Sequence, residues 1–153
     1  MTRTALPTSS PRIPAVPLVL GGTGLIPFAG LALMLATGSL FGFPRSTIHA
    51  ALVTYGALIV SFLGGIRWGL ALSMRDEAAA NREYVLSVVP QLLAWACLAL
   101  PAEWDLRGLA LLVLLLGVAD MALVRSGGAP GWFGRLRIGL SAGAGLALLA
   151  GSV

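Results

Sequence analysis

The 153 residues are 58% hydrophobic and only 10% charged, against about 45–50% and ~25% in soluble domains. Ten arginines, no lysine and six acids cannot give a body of this size an ordinary wetted surface; this excludes a soluble globular enzyme and a disordered chain, and the single cysteine, Cys97, excludes an intrachain disulfide scaffold. A net charge of +4 and a pI near 10.6 would alone suggest nucleic acid, but the placement of the charges gives them another meaning.

Residues 1–15 contain Pro7, Pro11 and Pro14 and read as a disordered tail. Arg3 and Arg12 without an acid give it the charge bias of a transit peptide. The prolines oppose the amphipathic helix such a segment needs, and no A-x-A site closes the apolar run that follows.

A membrane-spanning helix needs about 20 mostly apolar residues to cross ~30 Å of hydrocarbon. Five segments meet this, at Val16–Leu40, Thr47–Met74, Tyr84–Leu100, Leu106–Val124 and Leu136–Ser152. The expected class is therefore all-α, a single bundle of five transmembrane helices over residues 16–153. Leu109 to Val118 has no polar face and reads as lipid-exposed. The connections, Gly38–Ser46, Arg75–Glu83, Pro101–Asp105 and Arg125–Arg135, are too short to fold as domains.

The first span holds Pro27, and the third holds Pro90 followed by Gln91. A proline in a span kinks it and leaves a carbonyl unpaired, which can line a site. Gly21-Gly-Thr-Gly24 lacks the lysine and the preceding strand of a phosphate loop. The second span carries Tyr55, Ser61 and the run Gly65-Ile-Arg67-Trp68-Gly69. Gly65 and Gly69 form a G-x-x-x-G step, which permits close helix approach or clears space for a ligand at Arg67. Packing is the favoured reading.

Arg67 lies seven residues from the inner end of span two, about 10 Å, and Asp120 four residues from the inner end of span four, about 6 Å. Their depths match, and ionisable residues within spans are commonly paired. An Arg67–Asp120 ion pair facing the interior is expected, with separate snorkelling to the interface as the alternative.

The fourth connection reads Pro130-Gly-Trp132-Phe133-Gly-Arg135-Leu-Arg137. Trp132 and Phe133 suit the headgroup level, and Arg135 and Arg137 suit lipid phosphate, so this segment is expected to be an interfacial anchor. Span five carries Gly139, Gly143, Ala147 and Gly151 at four-residue spacing, a seam for packing with itself or a larger complex. Its Gly139-Leu-Ser141-Ala-Gly143 matches G-x-S-x-G, but no strand-to-helix turn is possible there. The one histidine, His49, falls near the opposite face, about 20 Å from Ser141 in depth. No nucleophile–base pair and no metal-ligand cluster is expected, and no cofactor.

Arginines sort by side. Arg3, Arg12, Arg75, Arg82, Arg125, Arg135 and Arg137 share one face, and Arg45 and Arg107 the other. The positive-inside bias places the N-terminus in the cytoplasm and, with five spans, the C-terminus outside. The basicity is thus a signal toward inner-leaflet lipid rather than nucleic acid.

Gly24-Leu-Ile-Pro-Phe28, Tyr55-Gly-Ala57 leading into Ser61-Phe-Leu-Gly-Gly-Ile-Arg-Trp-Gly69, Asp120, and Pro130-x-Trp-Phe-x-x-Leu-Arg-x-x-Leu-Ser141 resemble the transmembrane protein 69 family. This is a domain-of-unknown-function family of small polytopic membrane proteins in bacteria and mitochondria-bearing eukaryotes. Phe133 and Ser141 stand where tyrosine and threonine are expected from the resemblance. The resemblance implies a membrane location, bacterial inner or mitochondrial inner, and no known reaction. The residues favour a non-enzymatic packing or assembly component; the alternative is a small-molecule or anion binding protein or transporter with an inner-leaflet cavity around Arg67 and Asp120.

Overall fold

The computed structural model describes residues 12–38 and 42–153. Most of the expected N-terminal tail, and residues 39–41 of the first connection, lie outside them. The described chain is entirely helical, with α1 at Ala15–Thr37, α2 at Arg45–Ala71, α3 at Glu77–Cys97, α4 at Asp105–Arg125 and α5 at Gly131–Gly151.

The helix ends follow local chemistry. Pro14, Pro44 and Pro130 stand in extended conformation just before α1, α2 and α5, where a missing N–H costs nothing. Asp76 caps α3, accepting a hydrogen bond from the Ala78 amide. α4 closes on Gly127 at φ 81°, with the Gly128 amide returning to the Leu123 carbonyl. Arg45 closes α1 from outside, donating from Nη1 to the Leu35 carbonyl at 2.6 Å.

Two helices begin earlier than hydropathy predicts. α3 starts at Glu77 rather than Tyr84, and α5 at Gly131 rather than Leu136. The Asp76 cap, the run Ala78-Ala-Ala80 and the Pro130 start are helix signals that carry no hydropathy. Four helices, α1, α2, α4 and α5, are long and apolar enough to cross a membrane. α3 falls short of that standard because Glu77, Arg82 and Glu83 load its first two turns.

α2 sits at the centre. It packs against all four others, which form an arc in the order α1, α5, α4, α3 around it. Among the described residues α1 and α3 do not meet, so one face of α2 stays uncovered between them. That face shows Leu58, Phe62, Gly65, Gly69 and Leu72. The core runs through Leu52, Val60, Leu106, Leu109, Val113 and Leu148, all at 2% exposure or less. Outward-facing Val85, Trp95, Leu111, Val118 and Leu146 are more than half exposed. A surface this apolar suits lipid and not water.

Small residues set the helix spacings. At Gly64, a Cβ would stand 2.3 Å from the Ser87 carbonyl oxygen of α3, and at Gly117, 2.8 Å from Ser141 of α5. Gly134 and Gly145 receive Met121 and Leu114 of α4 in the same way.

Candidate functional site

Each of α2, α3, α4 and α5 buries one charged side chain at a common depth. These are Arg67, Glu83, Asp120 and Arg137, all 5% exposed or less. Arg67 Nη1 donates to Glu83 Oε2 at 2.6 Å, and Arg67 Nη2 lies 3.3 Å from Asp120 Oδ1. Arg137 Nε donates to the other Asp120 oxygen at 2.7 Å. The charges alternate along the chain Glu83–Arg67–Asp120–Arg137 and cancel. At the rim, the largely exposed Arg82 reaches Glu83 Oε1 at 3.3 Å. Removing one member of such a set strands its partner in a dry interior, at a cost of about 3–5 kcal/mol.

The structure brings Arg67 and Asp120 together, but as the middle of a four-member chain. Glu83, assigned above to a solvated connection, is 2% exposed inside α3. Arg137, expected at the headgroup level, is buried on α5; only Arg135 of that pair is exposed. The early start of α5 explains the difference. It turns residues 131–137 into helix, and Arg137 then shares a face with Gly134, Ser141, Ala144 and Leu148, all buried. The same periodicity was available for Glu83, on the small-residue face Ala80, Glu83, Ser87, Pro90, Ala94, Cys97.

The remaining expected residues separate. Gly65 and Gly69 face open space, and the intramolecular packing position is their neighbour Gly64. Trp68 is half exposed and tilts against Tyr84 at 4.9 Å. Tyr55 donates its hydroxyl to the Gly24 carbonyl at 2.9 Å and meets Phe28 edge-on, which fastens α1 to α2. Ser61 and Pro27 are half-buried, and Gln91 is exposed on the outer face of α3. Of the expected span-five seam, Gly143 meets Leu25, Gly151 meets Leu52, and Ala147 packs on the core, whereas Gly139 meets nothing. His49 Nε2 lies 3.3 Å from Asp105 Oδ1 at the start of α4. Ser141 touches Gly117, twelve residues further along α4, about 18 Å of helix. The two form no dyad. Among the described residues no cluster of three His, Cys, Asp or Glu could hold a metal.

Two cavities flank the charge chain. The smaller, about 200 Å³, lies between α3 and α4 with Arg67 at its floor. The larger, about 410 Å³, lies between the N-terminal halves of α1 and α5 and the C-terminal half of α2. It exists because the first half of α1 lies on α5, through Gly21 against Leu140 and Leu25 against Gly143, and stands off α2, whereas the second half buries Phe28, Ala32 and Leu35. Rim residues Val16, Leu20 and Phe62 are each about two-thirds exposed, so it opens sideways. The lining is apolar and aromatic except for Arg137 and Ser141, one helical turn apart, and the indole of Trp132. Arg137 Nη2 and Ser141 Oγ are both buried without a hydrogen-bond partner. Such orphans cost about 1–3 kcal/mol each.

Long apolar helices, a lipid-suited exterior and a neutralised buried charge chain define a polytopic helical membrane protein. The family model "Protein of unknown function (DUF3429)" matches residues 13–153, and the chain belongs to that family. It is 40% identical over 129 residues to transmembrane protein 69 of Xenopus tropicalis, covering 81% of this chain and 48% of that one. It is 35% identical over 136 residues to transmembrane protein 69 of Mus musculus, covering 84% and 51%. The chain thus spans about half the length of these curated relatives. No solved structure matches it.

Proposed function

We propose that this is a five-span integral membrane protein that binds a lipophilic small molecule in the cavity between α1, α2 and α5. The observation that carries the reading is a 410 Å³ apolar cavity whose lining includes Arg137, a buried guanidinium with one nitrogen, Nη2, left without a hydrogen-bond partner. That volume lies within the range of small-molecule sites, about 300–1,000 Å³. The sideways opening suits a ligand delivered from the bilayer.

A fifth span at α3 is supported by its contacts at both levels of the bundle. Its Glu83 meets Arg67 at one end, and its Cys97 packs beside Gly108, near the start of α4, at the other. Its 21 residues reach about 31 Å. Burial of Arg137 removes one arginine from the inner face, yet Arg3, Arg12, Arg75, Arg82, Arg125 and Arg135 still outweigh Arg45 and Arg107. This supports a cytoplasmic N-terminus and an external C-terminus in a bacterial inner membrane.

Native mass spectrometry of the protein extracted with its lipids tests the reading. A retained lipophile is expected in the wild type and lost in Gly24→Leu, which fills the cavity without touching the charge chain. Identical adducts in both would refute it. Assembly with another helix has its own support, the open space beside Gly65 and Gly69 on the uncovered face of α2.

A further inference from the structure

We propose that the occupant of this cavity is a lipophile whose polar end is a neutral oxygen acceptor, a carbonyl or ester on an apolar body, and not a free carboxylate or phosphate. The inference rests on the cavity reading above and adds the chemistry of the ligand's polar end.

Charge balance decides it. Arg67 and Arg137 are matched within the interior by Glu83 and Asp120, and Asp120 already engages both arginines. A ligand carboxylate brought to Arg137 would leave the dry cluster with a net negative charge, which a low-dielectric interior disfavours. A neutral oxygen supplies the acceptor that Arg137 Nη2 lacks and changes no charge. The rest of the wall, including Phe28, Phe62, Trp132 and Phe133, takes the apolar body toward the opening at Val16 and Leu20. A glycerolipid ester and a prenylated quinone share this chemistry.

The test uses the full chain in nanodiscs of diether phosphatidylcholine, which carries no ester carbonyl. Trp68, Trp95 and Trp104, all exposed, are changed to phenylalanine so that Trp132 in the cavity wall is the sole emitter. Three probes share one chain with two bromines at its middle and end in a methyl ester, a carboxylate or a plain methyl group. Bromine quenches the indole only at contact. At alkaline pH the ester is expected to half-quench Trp132 at about a fivefold lower mole fraction than the other two, the factor one hydrogen bond supplies. Equal midpoints for ester and alkane, or a lower one for the carboxylate, overturn the proposal while leaving the cavity in use. Curves unchanged by Gly24→Leu for every probe overturn the cavity reading itself. Ester quenching that appears only after residues 2–11 are deleted assigns the cavity to the chain's own N-terminal segment and overturns the proposal too. Both sources support it and are separable: dioleoylglycerol restores emission if the site favours glycerolipid, whereas a decyl-benzoquinone, itself a quencher, saturates below the ester if it favours quinone.

Discussion

α1 and α4 are alike in length and apolarity but are held in different ways. α4 lies against α5 along Gly117, Gly134 and Gly145, and it shares Asp120 with arginines from two neighbours. α1 contributes no charge to the buried chain. It is fastened by Phe28, Ala32 and Leu35 in its second half, and in its first half by the Tyr55–Gly24 hydrogen bond and by Gly21 and Leu25 lying against Leu140 and Gly143 of α5. Lipid is as apolar as a leucine, so hydropathy alone gives a span no reason to pack closely. Small residues and paired charges do. The tightly keyed set of α2, α3, α4 and α5 forms a frame, and the first half of α1, resting on α5 but not on α2, leaves the cavity between them.

The contrast is broken most severely at Asp120. Asp120→Leu strands Arg67 and Arg137 together, and a loss of about 3–5 kcal/mol is expected in reversible unfolding from mixed micelles. A loss below that of an ordinary surface substitution would mean that the charge chain does not hold the frame. Exchanging the pair, with Arg67→Asp and Asp120→Arg, is expected to fail as a rescue. The new acid at 67 would face Glu83, and the new arginine at 120 would face Arg137. Rescue by that exchange in a membrane-expression assay would show that Arg67 and Asp120 act as an isolated pair.

A smaller effect tests the role of close approach. Gly64→Ala must push α2 from the Ser87 carbonyl, and overpacking of this kind costs about 1–3 kcal/mol. Unfolding in the same micelles measures it. On the α1 side, Tyr55→Phe removes the hydroxyl that reaches Gly24 and is expected to cost about 1 kcal/mol. Because that bond ties down the cavity's α1 wall, faster hydrogen exchange is expected in α1 and not in α4. Equal acceleration in both would show that α1 is no less firmly held.

The five helices were legible from runs of apolar residues, and the depths of Arg67 and Asp120 from their distances to the span ends. Glu83 and Arg137 were not, because a hydropathy boundary treats a charge near a span end as solvated. Both lie on helical stripes of small residues, Ala80 to Cys97 and Gly134 to Leu148, which mark the buried faces of α3 and α5 independently of charge. The four-residue spacing of Gly139, Gly143, Ala147 and Gly151 drew attention to a different stripe of α5, one that faces α1 and α2 over only part of its length. The G-x-x-x-G step misled similarly. Its glycines both follow the packed Gly64 without sharing its face. The cavity itself was beyond sequence reading, since it depends on how far the first half of α1 stands from α2.

The smallest expected effect separates these two adjacent glycines. A Cβ at Gly65 meets nothing within 4 Å, so Gly65→Ala should leave the packing unchanged and raise stability only by alanine's better helix propensity, about 0.5–1 kcal/mol. Set beside Gly64→Ala, it asks whether spacing inside the bundle or smallness on its surface matters. A bulkier probe, Gly65→Leu, carries the question to assembly. If the uncovered face of α2 serves only lipid, this variant keeps the wild-type mass in native spectra and the wild-type unfolding midpoint. If a second helix docks there, the leucine blocks its approach, and a higher-mass species present in the wild type is lost with the monomer intact.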